Sequence, residues 1–199
     1  MVSIALPLPN FVLMDFEKLI CDIEEVSAEF IKYFGNLTEQ QLNSRKQEDQ
    51  WSIAQCIEHI ILVNESYFSI VTAIREKKYQ AGWNSRVGLL VNYFGKRMLN
   101  MVHPGNKKKS KTIAPWEPLN TKPLDEIVMK FIAHQQSLKH LIISSQDLVQ
   151  SKTIIHSPVN KRMVYTLSDA FKIMVAHEQR HLQQAKAVLV MQYSERMVI

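Results

Sequence analysis

Only five glycines interrupt the 199 residues, so long stretches are left free for helices, and an all-α reading follows. Cysteine is scarcer still. Cys21 and Cys56 form neither a C-x-x-C pair nor a regular framework, and both lie in apolar helical patterns, so they read as free core thiols of a reducing compartment. Long apolar runs are missing as well: none approaches the ~20 uninterrupted residues a membrane-spanning helix needs. The start, Met1 to Met14, is apolar but has no basic residues and no small-residue cleavage site, and Pro7 and Pro9 break it; it reads as an arm packing onto the domain. Extreme charge is absent too, with 46% apolar and 22% charged residues, which excludes disordered and fibrous classes. One soluble, cytoplasmic domain spanning 1–199, with no membrane partner, is expected. The net charge of +5 is modest, and much of it comes from Lys107, Lys108, Lys109 and Lys111. No aromatic residue interleaves this run, so it is read as a solvated loop, and no nucleic-acid partner is expected.

Four segments carry helical periodicity. The first runs from about Asp15 to Phe34, with Phe16, Leu19, Ile23, Val26, Phe30 and Tyr33 recurring three and four apart and Gly35 at the following stop position. A short helical turn at Thr38 to Leu42 precedes the second. That helix opens on a capping box, Ser52 with Gln55, and continues to about Lys78 through Ile53, Ile57, Ile60, Tyr67, Val71 and Ile74. The third starts at Pro123, with Asp125 and Glu126 suiting its dipole, and carries Leu124, Ile127, Phe131, Leu138 and Leu141 to about Ser145. A loop with His156 and Pro158 leads to the fourth, capped by Thr166 with Asp169 and reaching at least Met191. The connection from Tyr79 to Lys122, partly helical around Val87 to Val102, is far longer than antiparallel neighbours require. The second and third helices are therefore expected to run the same way.

Seven histidines are available to bind a ligand. At 100° per residue, Ala170, Met174, His177, His181, Ala185 and Val188 fall within about 40° of one line down the fourth helix. Two imidazoles among methyls are costly unless their nitrogens find partners, so the i, i+4 pair His177 and His181 calls for a metal ion or for hydrogen-bonded core histidines. His59, which shares a helical row with Cys56, Val63, Ser66 and Ile70, is the best candidate for a third ligand, although a lone histidine at such a place is more often a satisfied core residue. His134 is a weaker competitor, and His103, His140 and His156 read as loop or surface residues.

His177-Glu178-Gln179-Arg180-His181 also spells H-E-x-x-H, the zinc-peptidase signature in which the glutamate activates a water. The extended form demands a glycine and a histidine where this chain has Gln184 and Ala187. No strand is evident to hold a peptide, so a peptidase is disfavoured.

Leu37-Thr38-Glu39-Gln40-Gln41-Leu42, Trp51-Ser52-Ile53-Ala54-Gln55-Cys56-Ile57-Glu58-His59, His156-Ser157-Pro158 and His177 to Gln184 together resemble the DinB/YfiT-like superfamily of metalloenzymes over nearly the whole chain. The resemblance implies a four-helix bundle of up-down-down-up type with a long crossover between its second and third helices. It also implies a divalent ion on His59, His177 and His181, family habit implying a homodimer. Relatives are similar to thiol-dependent S-transferases using a low-molecular-weight thiol (bacillithiol, mycothiol or glutathione) or to metal-dependent hydrolases. This chain departs after His156, where Asn160 and Lys161 stand in place of a glycine.

Neutral imidazoles suit zinc, nickel or iron, and three protein ligands leave a position open for a small-molecule substrate. The expected function is a thiol-dependent transferase; the alternatives are a hydrolase that activates water and a non-catalytic binding bundle closed by a fourth ligand, with His134 the residue to supply it. Gln55, Ser66, Glu178 and Arg180 are candidate substrate contacts or ordinary helix-surface residues. Glu178 is the preferred catalytic residue among them.

Overall fold

The computed structural model describes residues 10–45, 47, 50–108, 111–118 and 124–196, side chains being described for 16–194 within those ranges. The described chain is mostly helical. Its long helices are α1 (Asn10–Phe34), α3 (Ile53–Arg75), α5 (Ile127–Ser144) and α7 (Leu167–Arg196), with short α2 (Glu39–Asn43) and α6 (Gln146–Gln150) and a crossover helix α4 (Gly88–Val102). The long helices form a bundle in which α3 packs against α5 and α7, and α1 against the same two.

Helices α3 and α7 begin where their local chemistry places them. Ser52 Oγ accepts from Gln55 N at 3.1 Å while Gln55 Oε1 accepts from Ser52 N at 3.0 Å, closing the box read from the sequence. Thr166 Oγ1 likewise accepts from Asp169 N at 3.0 Å. Helix α5 departs from expectation: Asp125 and Glu126 precede it, and Glu126 adopts a left-handed φ of 52° that ends the preceding turn before Ile127 begins the helix. The expected start at Pro123 lies outside the described residues. Helix α1 begins before Asp15, taking in Asn10 to Met14, whereas the rest of the expected arm also lies outside the described residues.

The stripes are largely as read, with instructive slips. Along α7, Ala170, Met174, His177, His181, Ala185 and Val188 are all buried. On α1 it is Phe34, not Tyr33, that enters the core, the Phe30 and Phe34 rings tilted against each other at 5.4 Å between centroids while Tyr33 is 37% exposed. Cys56 is buried, its thiol pushed up to about 12 by that burial, but Cys21 is exposed, so only one cysteine is a core residue. Gly35 ends α1 without a left-handed cap, since no described glycine has positive φ. Helix α3 is long and apolar enough to cross a membrane by length and composition, but it is the core helix, with Ile53, Ile57 and Ile60 fully enclosed and the polar His59 and Asn64 buried among them.

The expected loop around His156 is a hairpin. Strand β1 (Ile154–Ser157) pairs antiparallel with β2 (Asn160–Thr166), with an irregularity in register at His156 and Ser157. A turn of Pro158 and Val159 links them, without the asparagine-glycine signal that marks tight hairpins, and Lys161 and Arg162 hide the alternation. Helix α4 packs on β2 and α7. Gly95 permits that approach, since a Cβ there would lie 2.8 Å from Asp169 Oδ2.

A polar layer divides the core. On one side Phe16, Leu19, Ile23, Tyr67, Leu138, Phe171 and Met174 cluster; on the other Phe30, Phe34, Ile53, Ile57, Phe131, Leu182 and Ala185. At or beside the boundary of these clusters in sequence, on three different helices, lie buried His59, Asn64, His134, Gln135, His177, Glu178 and His181.

Candidate metal centre

Seven polar residues in an apolar interior require partners. His59 comes from the second turn of α3, while His177 and His181 come from one face of α7. The His177 Nε2 lies 3.2 Å from the His59 Nε2 and 3.0 Å from the His181 Nε2. One ligand nitrogen from each histidine falls within 4.8 Å of the others. Tetrahedral ligands at about 2.0–2.1 Å from a zinc ion stand about 3.3–3.4 Å apart, close to these spacings. Hydrogen bonding satisfies the cluster only in part, because the central His177 Nε2 carries at most one proton for two facing nitrogens. A cation satisfies all three lone pairs, so the residues present fit a divalent ion.

The protonation states agree. The His59 Nδ1–H donates to the Trp116 carbonyl at 2.7 Å; a carbonyl only accepts, so the tautomer is set and the Nε2 lone pair faces the cluster. Burial holds His59, His177 and His181 below the usual imidazole range, with His181 brought down to about 3; neighbouring imidazoles and Arg180 add to the effect at His177 and His181. Neutral imidazole is the form that ligates. Trp51 walls one side, its ring 4.8 Å from that of His59 and stacked at 5.9 Å on that of His181.

Glu178 is fully buried beside the pair and outside the nitrogen cluster. Its Oε1 accepts from Asn64 Nδ2 on α3 at 2.7 Å and from Gln135 Nε2 on α5 at 2.9 Å, tying three helices together. Burial raises its carboxyl to about 7 against the opposing pull of the two amides.

The remaining candidates separate cleanly. Gln55 closes the α3 cap, and the Ser66 hydroxyl donates to the Val63 carbonyl. Arg180 donates to the main chain of the crossover. His134 contributes nothing to the cluster; it is buried against Phe68, ring centroids 5.3 Å apart. His103 and His140 are exposed, while His156 lies half-buried in β1, where its main-chain N–H donates to the Tyr79 hydroxyl. Trp116, which orients His59, escaped the sequence reading because a lone tryptophan in a proline-rich loop carries no periodic signal.

Burial brings the His134 imidazole down to about 4. The unfolded chain takes up this proton near the usual 6.5 and the folded chain not until about 4, so stability present above that window is lost as pH falls across it. In urea unfolding of metal-free protein, replacing His134 with phenylalanine is expected to reduce the slope of stability against pH there by up to about 1.4 kcal/mol per pH unit. An unchanged slope would rule out a neutral buried His134.

The model of the DinB superfamily matches residues 22–185. Among solved structures the chain is similar to YfiT from Bacillus subtilis, described as a probable metal-dependent hydrolase with an unusual four-helix bundle topology. The two share 16% sequence identity at a TM-score of 0.50, covering 92% of this chain and 87% of that one. No curated protein matches the sequence.

Proposed function

This chain belongs to the DinB superfamily, and on that premise we propose that it is a metal-dependent hydrolase of a small molecule, with His59, His177 and His181 as the ligands of a zinc or nickel ion. The observation that carries this reading is the convergence of three neutral nitrogens within 4.8 Å. The description of YfiT as a probable metal-dependent hydrolase agrees with it.

When bound, such an ion supplies Lewis-acid polarisation and acidifies a small nucleophile at the coordination position that three protein ligands leave open. The chain's residues prepare that position. The Trp116 carbonyl holds the His59 ring in its ligating tautomer, and Trp51 shields the histidines from bulk water. In this reading Glu178 is a positioning residue: both its helix-crossing bonds end on Oε1, which sets the rotation of α7 and so the aim of His177 and His181. Nothing in the geometry selects a thiol over water.

The bundle in this reading is up-down-down-up. In support, contacts ascend together along α3 and α5, where Phe68 meets His134 and Arg75 meets Ser144. They run oppositely along α1 and α5, where Glu24 meets Lys139 and Phe30 meets Phe131. They are also opposed between α3 and α7, where His59 meets His181 and Asn64 meets Glu178.

The test is turnover of an ester, amide and phosphoester panel by zinc- or nickel-loaded protein, with and without glutathione. Hydrolysis without thiol that chelation abolishes is expected. Turnover only with thiol would replace hydrolase by transferase, and inert metal-loaded protein would leave a binding module.

A further inference from the structure

The lysine run is tied to the histidine site at two points. Arg180 projects from the α7 turn between His177 and His181, and its guanidinium donates to the carbonyls of Met101 at 3.3 Å, Asn106 at 2.5 Å and Lys108 at 2.7 Å. At the far end the Trp116 carbonyl is held by His59. The described segments 101–108 and 111–116, together the strap, are therefore held to α7 beside two of the histidines and to α3 at the third.

Its first part is built rather than slack. Asn106 donates through Nδ2 to the Asn100 and Met101 carbonyls, each at 3.2 Å, and accepts from Lys108 N at 3.1 Å. Lys107 and Lys108 sit at the Arg180 anchor. Lys111 stands three residues later in the sequence, so its Cα lies no more than about 11 Å from that of Lys108.

The charges there are one-sided. Lys107, Lys108 and Lys111 are exposed, and none makes an ion pair among the described residues. Glu117 is the only acidic residue between Met101 and Pro118. Arg180 spends its donors on carbonyls, so its charge meets no carboxylate among the described residues. The indole N–H of Trp116, buried on the same strap, finds no acceptor among them either. One-signed charge beside a water-poor site concentrates anions there.

We infer that this strap selects the substrate: it takes a small molecule bearing two or more carboxylate or phosphate charges away from its reacting group. This deepens the hydrolase reading, which supplies the reaction, but the selection itself depends only on the strap.

The probes are acetate, a monoanion, and tricarballylate, a tricarboxylate, titrated calorimetrically into untagged zinc-loaded protein at low and high ionic strength, with zinc retention measured after each run. Tricarballylate is expected to bind about tenfold more tightly than acetate, the size that its two further carboxylates supply on exposed lysines, with the advantage shrinking as salt rises. The triple variant Lys107→Ser, Lys108→Ser, Lys111→Ser should lose that preference and keep parental zinc content and acetate affinity. A preference that survives the triple substitution, or none in the parent, overturns the inference. So does lysine-dependent binding of duplex DNA without preference for tricarballylate. Should the parent hold no zinc, the metal reading fails by itself. The same titrations on metal-free protein then decide the strap, a lysine-dependent preference supporting it and its absence overturning it.

Discussion

Replacing His177 with alanine is expected to strip the protein of its divalent ion. The His177 Nε2 is the middle nitrogen of the cluster, within 3.2 Å of His59 and 3.0 Å of His181, so its loss leaves two ligands that no longer share a neighbour. Residues that merely orient a ligand cost about 10–100-fold in affinity when removed, and loss of a ligand should exceed that. Mass spectrometry on untagged protein should find near-stoichiometric zinc or nickel in the parent and almost none in His59→Ala, His177→Ala or His181→Ala. His134→Ala should retain it, because His134 stands outside the cluster against Phe68. Metal retained by His177→Ala, or lost from His134→Ala in a folded protein, would refute the three-histidine assignment. No metal in the parent after incubation with either ion would reduce the histidines to core residues.

The second large effect concerns Glu178. Alanine at this position removes the acceptor of both Asn64 Nδ2 and Gln135 Nε2 and opens a void where three helices meet. Leaving two buried amide donors unpaired costs about 3 to 5 kcal/mol in all, a large share of a typical domain's stability of about 5–15 kcal/mol. Urea unfolding of metal-free protein measures it. Glu178→Gln keeps an acceptor at Oε1 and should cost about 1 kcal/mol. It should also retain metal and turnover, as a positioning role requires. A folded, metal-loaded Glu178→Gln protein without turnover would instead make Glu178 the acid–base residue that the H-E-x-x-H spacing suggests.

These residues are legible in the sequence where the signal is local and periodic. The α7 stripe placed both of its histidines on the buried side because a 3.6-residue period and the cost of exposing apolar surface act on every turn alike. The caps at Ser52 and Thr166 were legible because each is a contact over three residues. Where two adjacent residues were both apolar, as Tyr33 and Phe34 are, periodicity did not decide which one the core would take. The hairpin carries no local signal, because its turn lacks glycine and its second strand opens with Asn160, Lys161 and Arg162, which neither alternate nor carry β-branched side chains.

By itself, the sequence determined a mostly helical chain, the buried faces of its long helices, and His177 and His181 as neighbours one turn apart. Tertiary structure alone decided which residues meet across the bundle. His59 and His177 lie 118 positions apart, and helical phase shows that each faces inward but not at what height. That height is set by how α3 and α7 slide to bury their stripes, with Asn64 and Gln135 meeting Glu178 in the same layer. The crossover shows the same division: a run of lysines looks solvated in sequence because nothing local gives it a partner, while the hold of Arg180 and His59 on its backbone brings it to the histidine site.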